Sequence, residues 1–157
     1  MRLTQLFEVS DDDYSPEHLA KERSLKFKAG VIPFVRENGI IRGLFVISSD
    51  PKFGGTDPAI IKGGPDEGET PRETALREMT EEVGIPQSLV ADAEEIFVGE
   101  IKGLLASYKM HVFAVELKSK PDVHVDGVEI ASAVWMSIEE FMIKGRESQR
   151  KIVANLK

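Results

Sequence analysis

From Phe27 to Val35 the chain runs as a mostly apolar segment that predicts a strand, and Gly39 to Ser49 predicts its partner. Glu37-Asn38-Gly39 between them is hairpin-turn chemistry. Ser49 to Pro58 is a loop rich in glycine and proline, and Ala59-Ile60-Ile61 predicts a short buried strand. Lys62 to Glu69 follows as a loop with three glycines, leading into Thr70-Pro71-Arg72-Glu73. That tetrapeptide is a capping box with proline at the first helical position, a strong helix start. Gly84 is placed to end the helix in a left-handed conformation. At about 100° per residue, Ala75, Leu76, Met79 and Val83 form one apolar stripe. Ile96 to Ile101 and Tyr108 to Leu117 predict a long antiparallel pair, and Ala133-Val134-Trp135 a further short strand. Ser137-Ile138-Glu139-Glu140-Phe141 opens a helix, and Glu147 to Leu156 predicts the last one. Residues 1–23 are polar, carry Asp11-Asp12-Asp13, and predict a short strand or helix plus loop. Strands, helix, strands, then helices indicate an α/β fold in which helices sandwich a mixed sheet.

Length and composition narrow the classes. A chain of 157 residues fits one domain, 1–157, with residues 1–23 as an N-terminal extension. Apolar residues make up 41% and charged ones 30%, a globular balance. No apolar run is long enough to span a bilayer, and Met1-Arg2-Leu3 opens no signal-peptide pattern. With no cysteine there is neither disulfide nor thiolate metal site, which fits a reducing cytoplasm. A net charge of −7 argues against broad binding of nucleic acid.

The charge is concentrated. Residues 63–82 hold seven acids and two arginines, a net −5. Glu78, Glu81 and Glu82 form a stripe of their own, roughly 125° around the helix from the apolar one. Carboxylates at i, i+3 and i+4 repel one another and raise each other's pKa. Divalent cations are the usual compensation, and hard oxygen ligands would favour Mg²⁺ or Mn²⁺. The glycines upstream let backbone groups approach a ligand closely, and a helix start favours anions. Carbonyls for a metal and amides for a phosphate are thus available on one loop.

The segment GGPDEGETPRETALREMTEEVGI, residues 63–85, resembles the Nudix box, the signature of the Nudix hydrolases. The box reads Gly, five residues, Glu, seven residues, then Arg-Glu-aliphatic-x-Glu-Glu-x-Gly-aliphatic. Those places hold Gly63, Glu69, Arg77, Glu78, Met79, Glu81, Glu82, Gly84 and Ile85, with methionine at the first aliphatic place the one variation. The resemblance covers roughly residues 26–144 and implies a Nudix-type α/β/α sandwich with a mixed β-sheet.

It also implies roles. Glu78, Glu81 and Glu82 would be metal ligands, joined by the Gly63 carbonyl, and Glu69 and Arg77 would pair to hold them in position. Water would attack a phosphorus of a diphosphate bridge, and a nearby carboxylate would take its proton. Glu78 and Glu81 are candidates for that base within the helix. Glu129, six residues before Trp135, is the candidate outside it, and a solvated loop carboxylate is its plainer reading. Trp135 reads as core. Lys62 suits a phosphate contact or, equally, reads as a solvated lysine, and Phe53 suits stacking on a nucleobase unless its loop is merely a surface turn. His111 reads as a satisfied, partly buried histidine.

The shared substrate of such enzymes is a nucleoside diphosphate linked to another moiety. The proline of the ADP-ribose group, the tyrosine of many diadenosine polyphosphate hydrolases and the motif of the NADH group are missing. Lys62-Gly63-Gly64 and the Ser-Asp-Pro-x-Phe-Gly-Gly loop resemble compact enzymes acting on ADP-ribose and dinucleoside polyphosphates. The alternatives are a nucleoside triphosphate or RNA 5′-end pyrophosphohydrolase, and a nucleotide-binding sensor without activity. All three box glutamates are kept, which favours the hydrolase. Homodimers are common in the family, but no interface is legible here.

Overall fold

The computed structural model describes residues 27–50, 56–102 and 107–157. Its strands are β1 (Phe27–Glu37), β2 (Ile40–Ser48), β3 (Ile61–Gly63), β4 (Glu94–Lys102), β5 (Ser107–Glu116) and β6 (Ile130–Ser137). Its helices are α1 (Pro71–Val83), α2 (Ile138–Lys144) and α3 (Arg150–Val153), with 3₁₀ turns at Gln87–Leu89 and Glu147–Gln149. The strands form one sheet in the order β4-β5-β1-β2-β6, with β3 paired to β1.

β1 and β2 form the expected hairpin, its turn made by Asn38 and Gly39 at φ 54° and 78°. Asparagine and glycine tolerate that left-handed backbone better than other residues, so the tip of the hairpin is fixed locally. β4 and β5 are antiparallel, as expected. Two findings lay beyond the sequence pattern. β1 pairs with β5 in parallel, from Phe27 opposite Lys109 to Phe34 opposite Glu116. The other edge of β1 is forked: residues 29–31 pair with β3, and residues 34–37 with β2. Phe34 accepts a bond from the Leu117 N–H on the β5 side, so Pro33 faces the opposite edge by alternation. Its missing N–H therefore falls in the fork, where it interrupts neither ladder.

Alternate residues of β1 enter two cores. Ala29, Val31 and Val35, with Leu44, Val46 and Ile61, pack under Ala75, Leu76, Met79 and Val83 of α1. Ile32 and Phe34, with Phe45 and Val112, pack against Phe141 of α2 and Ile152 and Val153 of α3. The Phe45 and Phe141 ring centroids lie 4.3 Å apart. The result is an α/β/α sandwich around a mixed sheet.

Two expected elements are corrected. The short strand begins at Ile61 and runs through Gly63, so Lys62 and Gly63 belong to the sheet and not to the loop; Ala59 makes an isolated bridge to Val46. The last helix is broken, because the Arg146 N–H donates to the Pro58 carbonyl at 2.8 Å and the Gln149 side chain accepts from the Ile60 N–H. These tertiary bonds replace what would have been the helix's first turn. The N-terminal extension lies outside the described residues. Among the described residues no helix is long and apolar enough to cross a membrane.

Candidate active site

α1 is set by its own ends. Thr70 Oγ1 accepts from the Glu73 N–H while the Glu73 carboxylate accepts from the Thr70 N–H, completing the capping box. Gly84 closes the helix at φ 72°, donating to the Thr80 carbonyl. The apolar stripe is buried on the sheet, which turns the glutamate stripe toward β3 and the loop before β6.

Arg77 is the organiser. Its Nε and Nη2 engage both oxygens of Glu69 at 2.8 and 3.0 Å, and Nη2 also donates to the Gly64 carbonyl at 2.9 Å. Nη1 donates to Glu78 at 3.1 Å and Glu81 at 3.0 Å. Glu69 also accepts from the Asp66 N–H and the Thr74 hydroxyl. The guanidinium, with these donors, holds the Glu69 carboxyl at about 2, well below its usual 4.5. Arg77 and Glu69 thus tie the glycine loop to the helix, as the sequence suggested.

Glu78 lies directly on Gly63: a Cβ added there would overlap its carboxyl group. Burial raises the Glu78 pKa, and raises that of Glu82 further; the two carboxyls are within hydrogen-bonding reach of each other. The Glu129 charge also reaches Glu82 and pushes its pKa upward, whereas Lys62 opposes that rise. Glu81 differs from its neighbours: its side chain is 57% exposed and paired with Arg77. Among the described residues no three acidic or imidazole side chains are gathered into a ready-made metal cage. The donor chemistry nonetheless fits a hard cation: two adjoining carboxyls, a third beside them, and a side-chain-free backbone position at Gly63.

Glu129 is carried by a braced turn. The Asp126 carboxylate accepts from the N–H groups of Val128, Glu129 and Ile130 at 2.9, 3.1 and 3.2 Å, with Gly127 at φ 75°. The Glu129 carbonyl accepts from the Ser49 N–H at 3.0 Å, and the Ser49 hydroxyl donates to the Val128 carbonyl.

On the other face of the sheet lies a shallow, open cleft. Ile60, Ile101, Met110 and Ile152 make its apolar walls, and Lys62, Tyr108, Ser148 and Gln149 its polar points. Lys62 therefore lines the cleft while its charge acts on Glu82, linking cleft and carboxylates. The ammonium of Lys28, a residue only 5% exposed, stands 4.7 Å from the centre of the Tyr108 ring. Sequence reasoning missed Lys28, Tyr108 and Gln149. A signal existed for the first: Lys28 shares the strand face of Ile32 and Phe34, where a lysine is out of place.

Phe53 lies outside the described residues. Trp135 is partly buried and packs against the core under α1, with Lys120 5.6 Å from its ring centre. His111 is satisfied, its Nδ1 being 2.6 Å from a Glu95 oxygen.

Comparison with known proteins agrees with this geometry. The family model described as NUDIX domain matches residues 26–156. An uncharacterized Nudix hydrolase of Rhodococcus erythropolis, orf19, is 35% identical over 94 residues, 56% of this chain. The chain spans about half the length of that relative, the match covering 50% of it. Among solved structures, an Ap4A hydrolase of C. elegans in a binary complex superposes with a TM-score of 0.71 at 18% identity, over 83% of this chain and 94% of the other. The NUDIX domain of Shewanella oneidensis NrtR, complexed with ADP ribose, gives 0.67 at 11% identity over 93% and 97%. The E. coli dihydroneopterin triphosphate pyrophosphohydrolase gives 0.68 at 16% identity over 83% and 94%. At such identities the likeness is one of fold; the match of residues 26–156 to the domain model goes further, and the chain belongs to the Nudix hydrolase family.

Proposed function

We propose that the chain is a divalent-metal-dependent pyrophosphohydrolase acting on a nucleoside diphosphate linked to a second moiety, with ADP-ribose or a dinucleoside polyphosphate favoured. The observation that carries this is Lys62, which lines the apolar cleft and whose charge acts on the Glu82 carboxyl. A nucleotide with its ring system in the cleft would pass its phosphates over Lys62 toward the carboxylates. The names of two structural relatives, an Ap4A hydrolase and a Nudix domain complexed with ADP ribose, support the same substrate class.

Glu78 and Glu82 would hold Mg²⁺ or Mn²⁺, with the Gly63 carbonyl and, after release from Arg77, Glu81. Such an ion, when bound, neutralises phosphate oxygens and lowers the pKa of water. Glu129 is the base we favour, because its charge acts on Glu82 and it stands on a braced turn outside the Arg77 network. It would take the proton of the attacking water as the diphosphate bridge breaks. Arg77 and Glu69 hold the loop and helix in register and touch no substrate.

The test is incubation with Mg²⁺ and a panel of ADP-ribose, diadenosine polyphosphates, NADH, FAD and nucleoside triphosphates, with products separated by chromatography. Metal-dependent cleavage that disappears in Glu82→Gln is the expected result. Binding of these nucleotides without turnover of any would reject the hydrolase reading in favour of a sensor.

A further inference from the structure

Gln149 is one of the most enclosed polar residues, 6% exposed, and it lines the cleft. Its backbone N–H donates to the Arg146 carbonyl at 3.0 Å, and its Oε1 accepts from the Ile60 N–H at 2.7 Å. The second bond decides which way the carboxamide points. A backbone N–H can only donate, so the oxygen must face Ile60 and the NH₂ group must face away from it. Among the described residues that NH₂ donates no hydrogen bond, and it is not sealed away from solvent. Gln149 thus lines the cleft with a carboxamide whose oxygen is committed to the Ile60 N–H, which leaves its NH₂ group as the part that can donate to a ligand.

Its setting suits a flat heterocycle. Ile60, Met110 and Ile152 supply apolar surface, and the Tyr108 ring lies at the same wall. Among the described residues the charged point of the cleft is Lys62, a cation, and none of the lining side chains is a carboxylate. A ring that turns a carbonyl oxygen or an unprotonated ring nitrogen toward Gln149 gains a hydrogen bond. One that turns an exocyclic amine there meets donor against donor.

We propose that Gln149 is the specificity-determining residue of a nucleobase subsite, donating from its NH₂ group to an acceptor atom of the base. The proposal rests on the reading of the chain as a nucleotide hydrolase and adds the position that selects the base. Lys62 sets the direction: base at Gln149, phosphates toward Glu78 and Glu82.

Gln149→Glu is the informative variant, because it preserves an acceptor for the Ile60 N–H and replaces the NH₂ donor of this side chain by an acceptor. Gln149→Met removes the donor without adding charge. Wild type and both variants would be assayed with Mg²⁺ on one diphosphate linkage carrying adenine, guanine, hypoxanthine or uracil. Melting temperatures would confirm that each variant is folded. In wild type one base is preferred. In Gln149→Glu the KM for that base rises about tenfold or more, kcat stays within about twofold, and the ratio between bases collapses or inverts. Gln149→Met loses the discrimination without inverting it. Equal effects on all four bases, or a fall in kcat at constant KM, would overturn the proposal. Calorimetric binding of AMP, GMP, IMP and UMP in EDTA, on the same three proteins, reads base selection without turnover. The subsite therefore stands or falls separately from the hydrolase reading.

Discussion

Gly63 is where a single atom would separate catalysis from folding. The Glu78 carboxyl occupies the space a Cβ would need, and a carboxyl at the end of a flexible side chain can swing aside. Gly63→Ala is therefore expected to cost less than about 1 kcal/mol of stability in urea unfolding while lowering kcat/KM on the order of 100-fold, since it displaces a proposed ligand. Arg77→Lys acts the other way. A lysine cannot engage both Glu69 oxygens and reach Gly64, Glu78 and Glu81 as well, so unfolding measurements should show a loss of about 2–3 kcal/mol. Glu69 gives a pH signature. Its folded pKa of about 2 lies below the ordinary 4.5, so its contribution is complete above pH 4.5 and disappears as pH falls toward 2. The stability gap between wild type and Glu69→Gln should therefore be constant from pH 7 to 5 and shrink below 4.5 in acid titrations. The sequence singled out Gly63, Glu69 and Arg77 because the motif that they belong to lies along one loop and helix, and the structure brings Glu69 onto Arg77 and Glu78 onto Gly63. The sequence did not reveal that Arg77 occupies Glu81, nor that Gln149 caps the Ile60 N–H, because both depend on side-chain geometry between neighbours or between distant segments.

At the scale of elements, legibility followed locality. The ends of α1 were readable in Thr70, Glu73 and Gly84 because the bonds that fix them lie within five residues. Thr70→Ala should remove about 1 kcal/mol, detectable in denaturant midpoints. The β1–β2 turn was readable in Asn38-Gly39 for the same reason. The break ahead of α3 was not, because Pro58 and Ile60, nearly ninety residues upstream, supply the competing bonds. The turn at Asp126 is another element the sequence did not single out. Asp126→Ala would leave three backbone N–H groups without their acceptor and loosen the segment that presents Glu129. If Glu129 is the base, kcat should fall about tenfold or more while KM changes little in steady-state assays. A parallel fall in Glu129→Gln, with no further loss in the double variant, would place both on one path.

Glu78 and Glu82 lie between a helix and a sheet, so a cation held there would stabilise the folded chain over the unfolded one. At 100 times its Kd, Mg²⁺ should add about 2.7 kcal/mol, read as a rise in melting temperature that EDTA reverses and Glu82→Gln largely abolishes. The two-core sandwich was legible because β1 is apolar on both faces. Strand order was not, since pattern alone gives no sign that residue 27 meets residue 109.

That parallel pairing also sets a timetable. β1 leaves the ribosome some eighty residues before the strand that covers its second edge, while its hairpin with β2 can close at once. Until β5 is made, the nascent chain exposes an unpaired backbone edge on its own central strand, whose side chains are mostly apolar. Closing so long a loop is slow, and contacts of this separation retard folding more than they affect stability. The Glu78–Glu82 pair and Glu129, which straddle β5 in the chain, come together only after that step. Newly synthesised molecules are thus aggregation-prone before they are competent, and fusion of a folding partner ahead of β1 should raise soluble yield more than one placed after α3.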